Sequence, residues 1–98
     1  MSSESPEPTM RDNQGASRYE ADLGGDQAVL VYALRGQTIV MSHTEVPEAL
    51  EGRGIGSALA RFALDDARAR ELRVVPRCPF VAAFIKRHPE YADLVAGG

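Results

Sequence analysis

One cysteine, Cys78, is all the thiol chemistry this chain has. It cannot close an internal disulfide, which suits a reducing compartment. Positive charge is also short, with 11 Lys and Arg against 14 Asp and Glu for a net charge of −3. Without a basic field, neither nucleic acid nor an anionic membrane is expected as a partner. No apolar run is long enough to span a bilayer. The opening "MSSESPEPTMRDNQGA" has no basic n-region and no apolar h-region, so no secretory signal is read there. The expectation is a cytoplasmic protein. His43, His88 and Cys78 are too scattered for zinc, which prefers close paired ligands, so no metal is expected. At 98 residues, 44% hydrophobic and 26% charged, the chain suits one ordinary globular domain.

Residues 1–16 hold almost no large apolar side chain and carry Pro6 and Pro8, so they are read as a flexible tail ahead of a single domain at 17–98. "SRYEADL" alternates weakly and stops at Gly24-Gly25, a turn signal. "QAVLVYALR" (27–35) is a near-continuous apolar run, as expected for a strand covered on both faces. Gly36 turns it back into "QTIVMSHTEV" (37–46), predicting an antiparallel hairpin. From Ile55 the period changes. Ala58, Leu59, Phe62, Ala63 and Ala67 share one broad face that Ala60 and Leu64 extend, opposite a narrow stripe of Ser57, Arg61, Asp65 and Arg68. Asp66 falls on the apolar side and is a misfit. "LRVVP" reads as a short buried strand, "CPFVAAFIKR" as a helix with Pro79 at its first position, and "HPEYADLV" as a short third helix opened by Pro89. The order is β-β-β-α-β-α-α, an α/β domain with one β-α-β crossover.

The stretch "EVPEALEGRGIGSAL" (45–59) sets glycines at alternate positions, Gly52, Gly54 and Gly56, just before the first helix. A strand, a glycine turn and a helix N-terminus make a preorganised anion site, because unpaired N–H groups and the helix dipole point the same way. It is not a P-loop, which needs a Gly-Lys pair absent here. The dinucleotide fingerprint fails too: its third glycine would fall on Ser57 or Leu59, and "PRC" stands where an acidic residue is needed. On composition alone, phosphate binding and mere close packing of helix on sheet weigh equally.

"V-P-E-x-x-x-G-R-G-I-G-S-A-L" resembles the acetyl-CoA motif of the GNAT acetyltransferase superfamily, Q/R-x-x-G-x-G/A between a strand and a helix. The wider pattern, "HTEVPE…GRGIG…L…AL…AR…VVP-C-PFV…I-RHPEY", is similar to its small single-domain YjdJ-like subgroup over residues 17–95. The resemblance implies a minimal GNAT fold, an antiparallel meander followed by a β-α-β unit with splayed strands and C-terminal helices. It implies acetyl-CoA as cofactor. The pantetheine arm would run along Thr44, Glu45 and Val46, and the diphosphate would lie on the N–H groups of Arg53, Gly54, Ile55, Gly56 and Ser57. The chain departs from the motif at its first position, where Glu51 stands, so the backbone amides would carry the affinity.

Pro79 makes Cys78 the N-cap of its helix, where the helix dipole and Arg77 favour thiolate; a lone cysteine is more often simply a buried residue. By strand alternation His43 shares a face with Ile39 and Met41, and its bland reading is a core-edge histidine bonded to a carbonyl. The resemblance makes His43 and Cys78 the candidate catalytic residues, on neighbouring strands near the acetyl group. Two mechanisms stay open: His43 as general base for direct attack by an amine, or acetyl transfer through Cys78 with His43 promoting the thiolate. A strand N–H near Val46 would hold the developing oxyanion. Lys86, Arg87 and His88 could meet the 3′-phosphate of CoA or form a solvated helix end. Tyr91 could reprotonate the leaving thiolate or anchor the C-terminal helix.

The rival readings are a non-catalytic CoA or acyl-CoA binding module and, with less support, a thiol-redox protein using Cys78. By the resemblance, the chain is expected to lack the extra N-terminal helices with which larger GNAT enzymes build an acceptor pocket. The acceptor expected is therefore an amine presented by a protein or a small polyamine, and the acidic charge leans toward a cationic one.

Overall fold

The computed structural model describes residues 7–96. Strands β1 (Thr9–Asn13), β2 (Arg18–Leu23), β3 (Asp26–Arg35), β4 (Thr38–Glu45) and β5 (Arg73–Pro76) form one sheet in that order. The first four are antiparallel and β5 pairs parallel to β4. Between β4 and β5 lies helix α1 (Ile55–Ala69), and after β5 come α2 (Pro79–Arg87) and a 3-10 turn over Pro89–Leu94. The expected α/β architecture is what forms. The "HPEYADLV" segment winds as 3-10 helix rather than α-helix. Among the described residues no helix is long and apolar enough to cross a membrane.

The turns follow local chemistry. Gly24 and Gly25 both take positive φ, 60° and 91°, between Leu23 and Asp26, a two-residue connection that suits glycine at both positions. Gly36, at φ 62°, turns β3 into β4 with Arg35 opposite Thr38.

The domain starts earlier than residue 17. Thr9–Asn13, read from the sequence as part of the tail, is an edge strand paired with β2 from Thr9↔Asp22 to Asn13↔Arg18. Its residues bury little themselves, which is why apolar patterning misses it. Main-chain pairing and polar side chains hold it: Arg11 pairs with Glu20 at 2.6 Å and with Asp22, and Asn13 donates to Glu20 at 2.9 Å. Residues 1–6 of that expected tail lie outside the described residues.

The core lies between one face of the sheet and the helices. Tyr19, Leu30, Ile39, Met41 and Val74 from the strands meet Leu59, Ala63, Leu64 and Phe84, all essentially inaccessible. Ala58 and Phe62, expected on α1's buried face, are only half-buried. Strand β3 departs from the reading of a strand covered on both faces. Its burial alternates, with Ala28, Leu30 and Tyr32 inside and Val29 and Val31 half-exposed, because the helices cover one face and leave the other open.

On that open face Glu20 is 1% exposed, covered by the side chains that pair with it. Hydrogen bonds from Arg18 and Asn13 hold its carboxyl below the usual carboxylate range. A depressed folded pKa stabilises the fold above the unfolded value, and that contribution is lost as pH falls through the folded one. Stability should therefore drop below about pH 4.5. Glu20→Gln should flatten that acid limb in urea melts taken at stepped pH. An unchanged limb would assign the acid sensitivity elsewhere.

Candidate active site

The parallel ladder between β4 and β5 ends at Met41↔Pro76. Beyond it the strands separate: the N–H of Cys78 still donates to the carbonyl of Met41 at 2.9 Å, but Ser42–Glu45 has no ladder partner on β5. A cleft of about 530 Å³ opens at this end. Thr44, Glu45 and Val46 form its strand wall, and Leu50, Glu51 and Gly52 its loop side. Gly54, Ile55, Gly56 and Ser57 at the start of α1 close it, together with Phe80 from α2.

The alternate glycines have different physical reasons. Gly52 and Gly54 sit at φ 82° and 73°, left-handed backbone that side chains resist, and Gly54 is the N-cap of α1. Gly56 is ordinary helix, but a Cβ there would stand 2.9 Å from the tip of the Phe80 ring and 3.4 Å from Val46. Of the residues expected to hold the cofactor, all but Arg53 line the cleft; Arg53 is exposed. Leu50, Gly52 and Phe80 were not expected there. Phe80 left no separate signal: one turn before Phe84, it sits at the edge of the face by which Val81, Phe84 and Ile85 bury α2, and it is 37% exposed. Glu51 lines the cleft, exposed, so the carboxylate at the departing motif position stands at the wall.

Cys78 is the N-cap of α2 with Pro79 following, as expected, and it is buried at 3% exposed. Its Sγ lies 3.2 Å from Thr44 Oγ1. The thiol thus touches a side chain that lines the cleft and is not itself among the lining residues.

His43 is not where alternation puts it. The β3–β4 register runs Tyr32↔Met41 and then Val31↔His43, so Ser42 is an extra residue, a β-bulge. Past the bulge the faces exchange. Thr44, opposite buried Leu30, takes the helix side, while His43, opposite Val31, turns to the open face. The expected face shared with Ile39 and Met41 is corrected by this one residue; His43 and Cys78 lie on and just past the neighbouring strands β4 and β5, with His43 turned away from the face on which Thr44 meets the thiol. His43 is 61% exposed, with Nε2 3.7 Å from Glu45 Oε2.

The remaining candidates face elsewhere. Tyr91 is buried under α1, its hydroxyl donating to Asp65 at 2.6 Å and accepting from Arg61 at 3.2 Å, and burial and Asp65 push its pKa up. It anchors the C-terminal turn. His88 stacks on Phe84 with centroids 4.1 Å apart, its Nδ1 3.4 Å from Arg61, while Lys86 and Arg87 are exposed.

A strand that parts from its neighbour beside a glycine turn and a helix N-terminus is the arrangement the sequence motif implied. The profile of the GCN5-related N-acetyl-transferase family matches residues 18–94. The chain belongs to this family. It is also similar to protein NATD1 from several vertebrates. The Bos taurus protein is 45% identical over 65 residues, covering 65% of this chain and 58% of its own length. The Mus musculus protein is 42% identical over 75 residues, covering 74% and 68%. The Homo sapiens protein is 42% identical over 65 residues, covering 65% and 58%. The chain thus spans little more than half the length of the cattle and human relatives.

Proposed function

We propose that this chain is an acetyl-CoA-dependent N-acetyltransferase acting on an amine, working in the cytoplasm. The observation that carries this reading is the cleft at the strand split, with one wall of strand backbone, one of apolar side chains, and the first turn of α1 at its mouth. Apart from Glu51, whose carboxylate stands at the wall, the residues present fit the cofactor. Val46, Leu50, Ile55 and Phe80 suit the pantetheine arm, and the N–H groups of α1's first turn suit a diphosphate. The missing Cβ of Gly56 leaves room between Val46 and Phe80. Bound there, acetyl-CoA would supply the acetyl group as a thioester.

The chain's own residues then divide the work. Thr44, Glu45 and Val46 would hold the arm as an added strand does, and an N–H near Val46 would donate to the oxygen on which charge builds. His43, on the open face, would take the proton of the attacking amine as the C–N bond forms and the C–S bond breaks. That proton would then neutralise the departing CoA thiolate, directly or through water. Direct attack is favoured over a relay through Cys78, because His43 and the thiol's partner Thr44 lie on opposite faces of β4.

Titrating acetyl-CoA while following amide chemical shifts tests the cofactor reading. Changes should centre on residues 44–57 and on Cys78. Gly56→Ala should weaken binding about tenfold, or ~1.4 kcal/mol, because the Phe80 ring at the cleft wall must shift to admit the methyl group. Amides unmoved by millimolar acetyl-CoA would sink the reading.

A further inference from the structure

The open face of the sheet has two unlike halves. Across β1 and β2 its charges are matched: Glu20 with Arg11 and Arg18, and Asp22 with Arg11. Across β3, β4 and β5 only His43 and Glu45, at the far end of β4, face each other, and the charges of the rest are unmatched. There a groove of about 680 Å³ has an apolar floor of Ala33, Val40 and Val75, with Arg35 and Arg77 at its rim. Among the described residues neither arginine has an ion-pair or side-chain hydrogen-bond partner, although the chain as a whole is acidic. Ser42 and Arg77, the residues just past the last β4–β5 pair, end the groove at the strand split.

We infer that this half of the open face docks an extended, acidic segment of the acceptor, holding it so that its amine reaches the split from the side opposite the cofactor cleft. The inference rests on the acetyltransferase reading for the word acceptor, and on the groove alone for the chemistry. Arg35 lies opposite Thr38 and so in line with Arg73, four residues before Arg77. The two backbone positions are roughly 16 Å apart by strand rise and spacing. One small anion suits that separation poorly; a chain with spaced carboxylates suits it well. A second copy of this protein suits it poorly as well, since a two-fold contact through this face would bring like charges together. The acceptor is thus an amine within an acidic context, where overall charge alone pointed to a cationic molecule.

The test compares a short lysine peptide flanked by glutamates with its glutamine-flanked counterpart, by fluorescence anisotropy at low and moderate salt. The glutamate peptide should bind more tightly, and salt should weaken it. Arg35→Gln and Arg77→Gln should each cost it about threefold. Arg35→Glu with Arg77→Glu should reverse the preference toward a lysine-flanked peptide. Equal binding of the two peptides, or indifference to both arginines, would overturn the inference. So would a concentration-dependent dimer in sedimentation that Arg77→Glu dissolves, because the face would then be a self-interface. Acetyl-CoA shifts recorded on the same samples keep the readings apart. Unmoved shifts with peptide discrimination intact would remove the acetyltransferase reading and leave the docking face.

Discussion

His43→Ala lowers the acetyl-transfer rate by about a hundredfold to a thousandfold and leaves acetyl-CoA affinity unchanged, the loss expected when a positioned general base is removed. The side chain is largely exposed, so its removal leaves the core intact, and a rate change reports chemistry rather than folding. Cys78→Ala should behave differently, changing the rate only a fewfold, because the thiol is buried and does not line the cleft. Steady-state rates for both variants, with mass spectra of the enzyme after exposure to acetyl-CoA, distinguish the routes. A turnover loss confined to Cys78→Ala, with acetyl mass on the wild-type protein, would move the chemistry to the thiol. Tight acetyl-CoA binding with no transfer to any amine would leave a non-catalytic binding module.

Asp66→Ala should destabilise the fold by about 2 kcal/mol, seen as a lower urea midpoint and a melting temperature lower by about 10 °C. Asp66 Oδ2 accepts from the hydroxyl of fully buried Tyr19 at 2.7 Å and from Arg70 at 2.9 Å. Arg70 also donates to Asp12 at 3.1 Å, whose other oxygen accepts from Tyr32 at 2.6 Å. Burial and the two carboxylates push both phenols well above their ordinary pKa, so they remain donors. Removing the carboxylate strands a buried hydroxyl, the costly case; Asp66→Leu with Tyr19→Phe should recover most of the loss. If Asp66→Ala costs under about 0.5 kcal/mol, β1 is held by its ladder rather than by this network.

Asp66 also shows how far a sequence carries. Its place on the apolar side of α1 was legible as a misfit, but its partners lie 47 residues away on β2 and, through Arg70, on an unanticipated β1. The helix period, the glycine turns, the Pro79 start of α2 and the glycine motif before α1 were all readable. Each is a local preference expressed within a few residues. The cleft itself was largely readable as well, since its strand and loop walls adjoin the motif; Phe80 was missed because it arrives from a separate helix.

What the sequence by itself determined is the run of elements from β2 to α2, the family and most of the residues bordering the strand split, because period, turn chemistry and motif are properties of contiguous chain. Only the tertiary structure decided which face His43 occupies. A bulge is a mismatch between two strands, and the one at Ser42 exists only in β4's register against β3. The same dependence on a partner placed Thr9–Asn13 in the sheet, through the main chain and charges of β2 rather than through apolar side chains of its own.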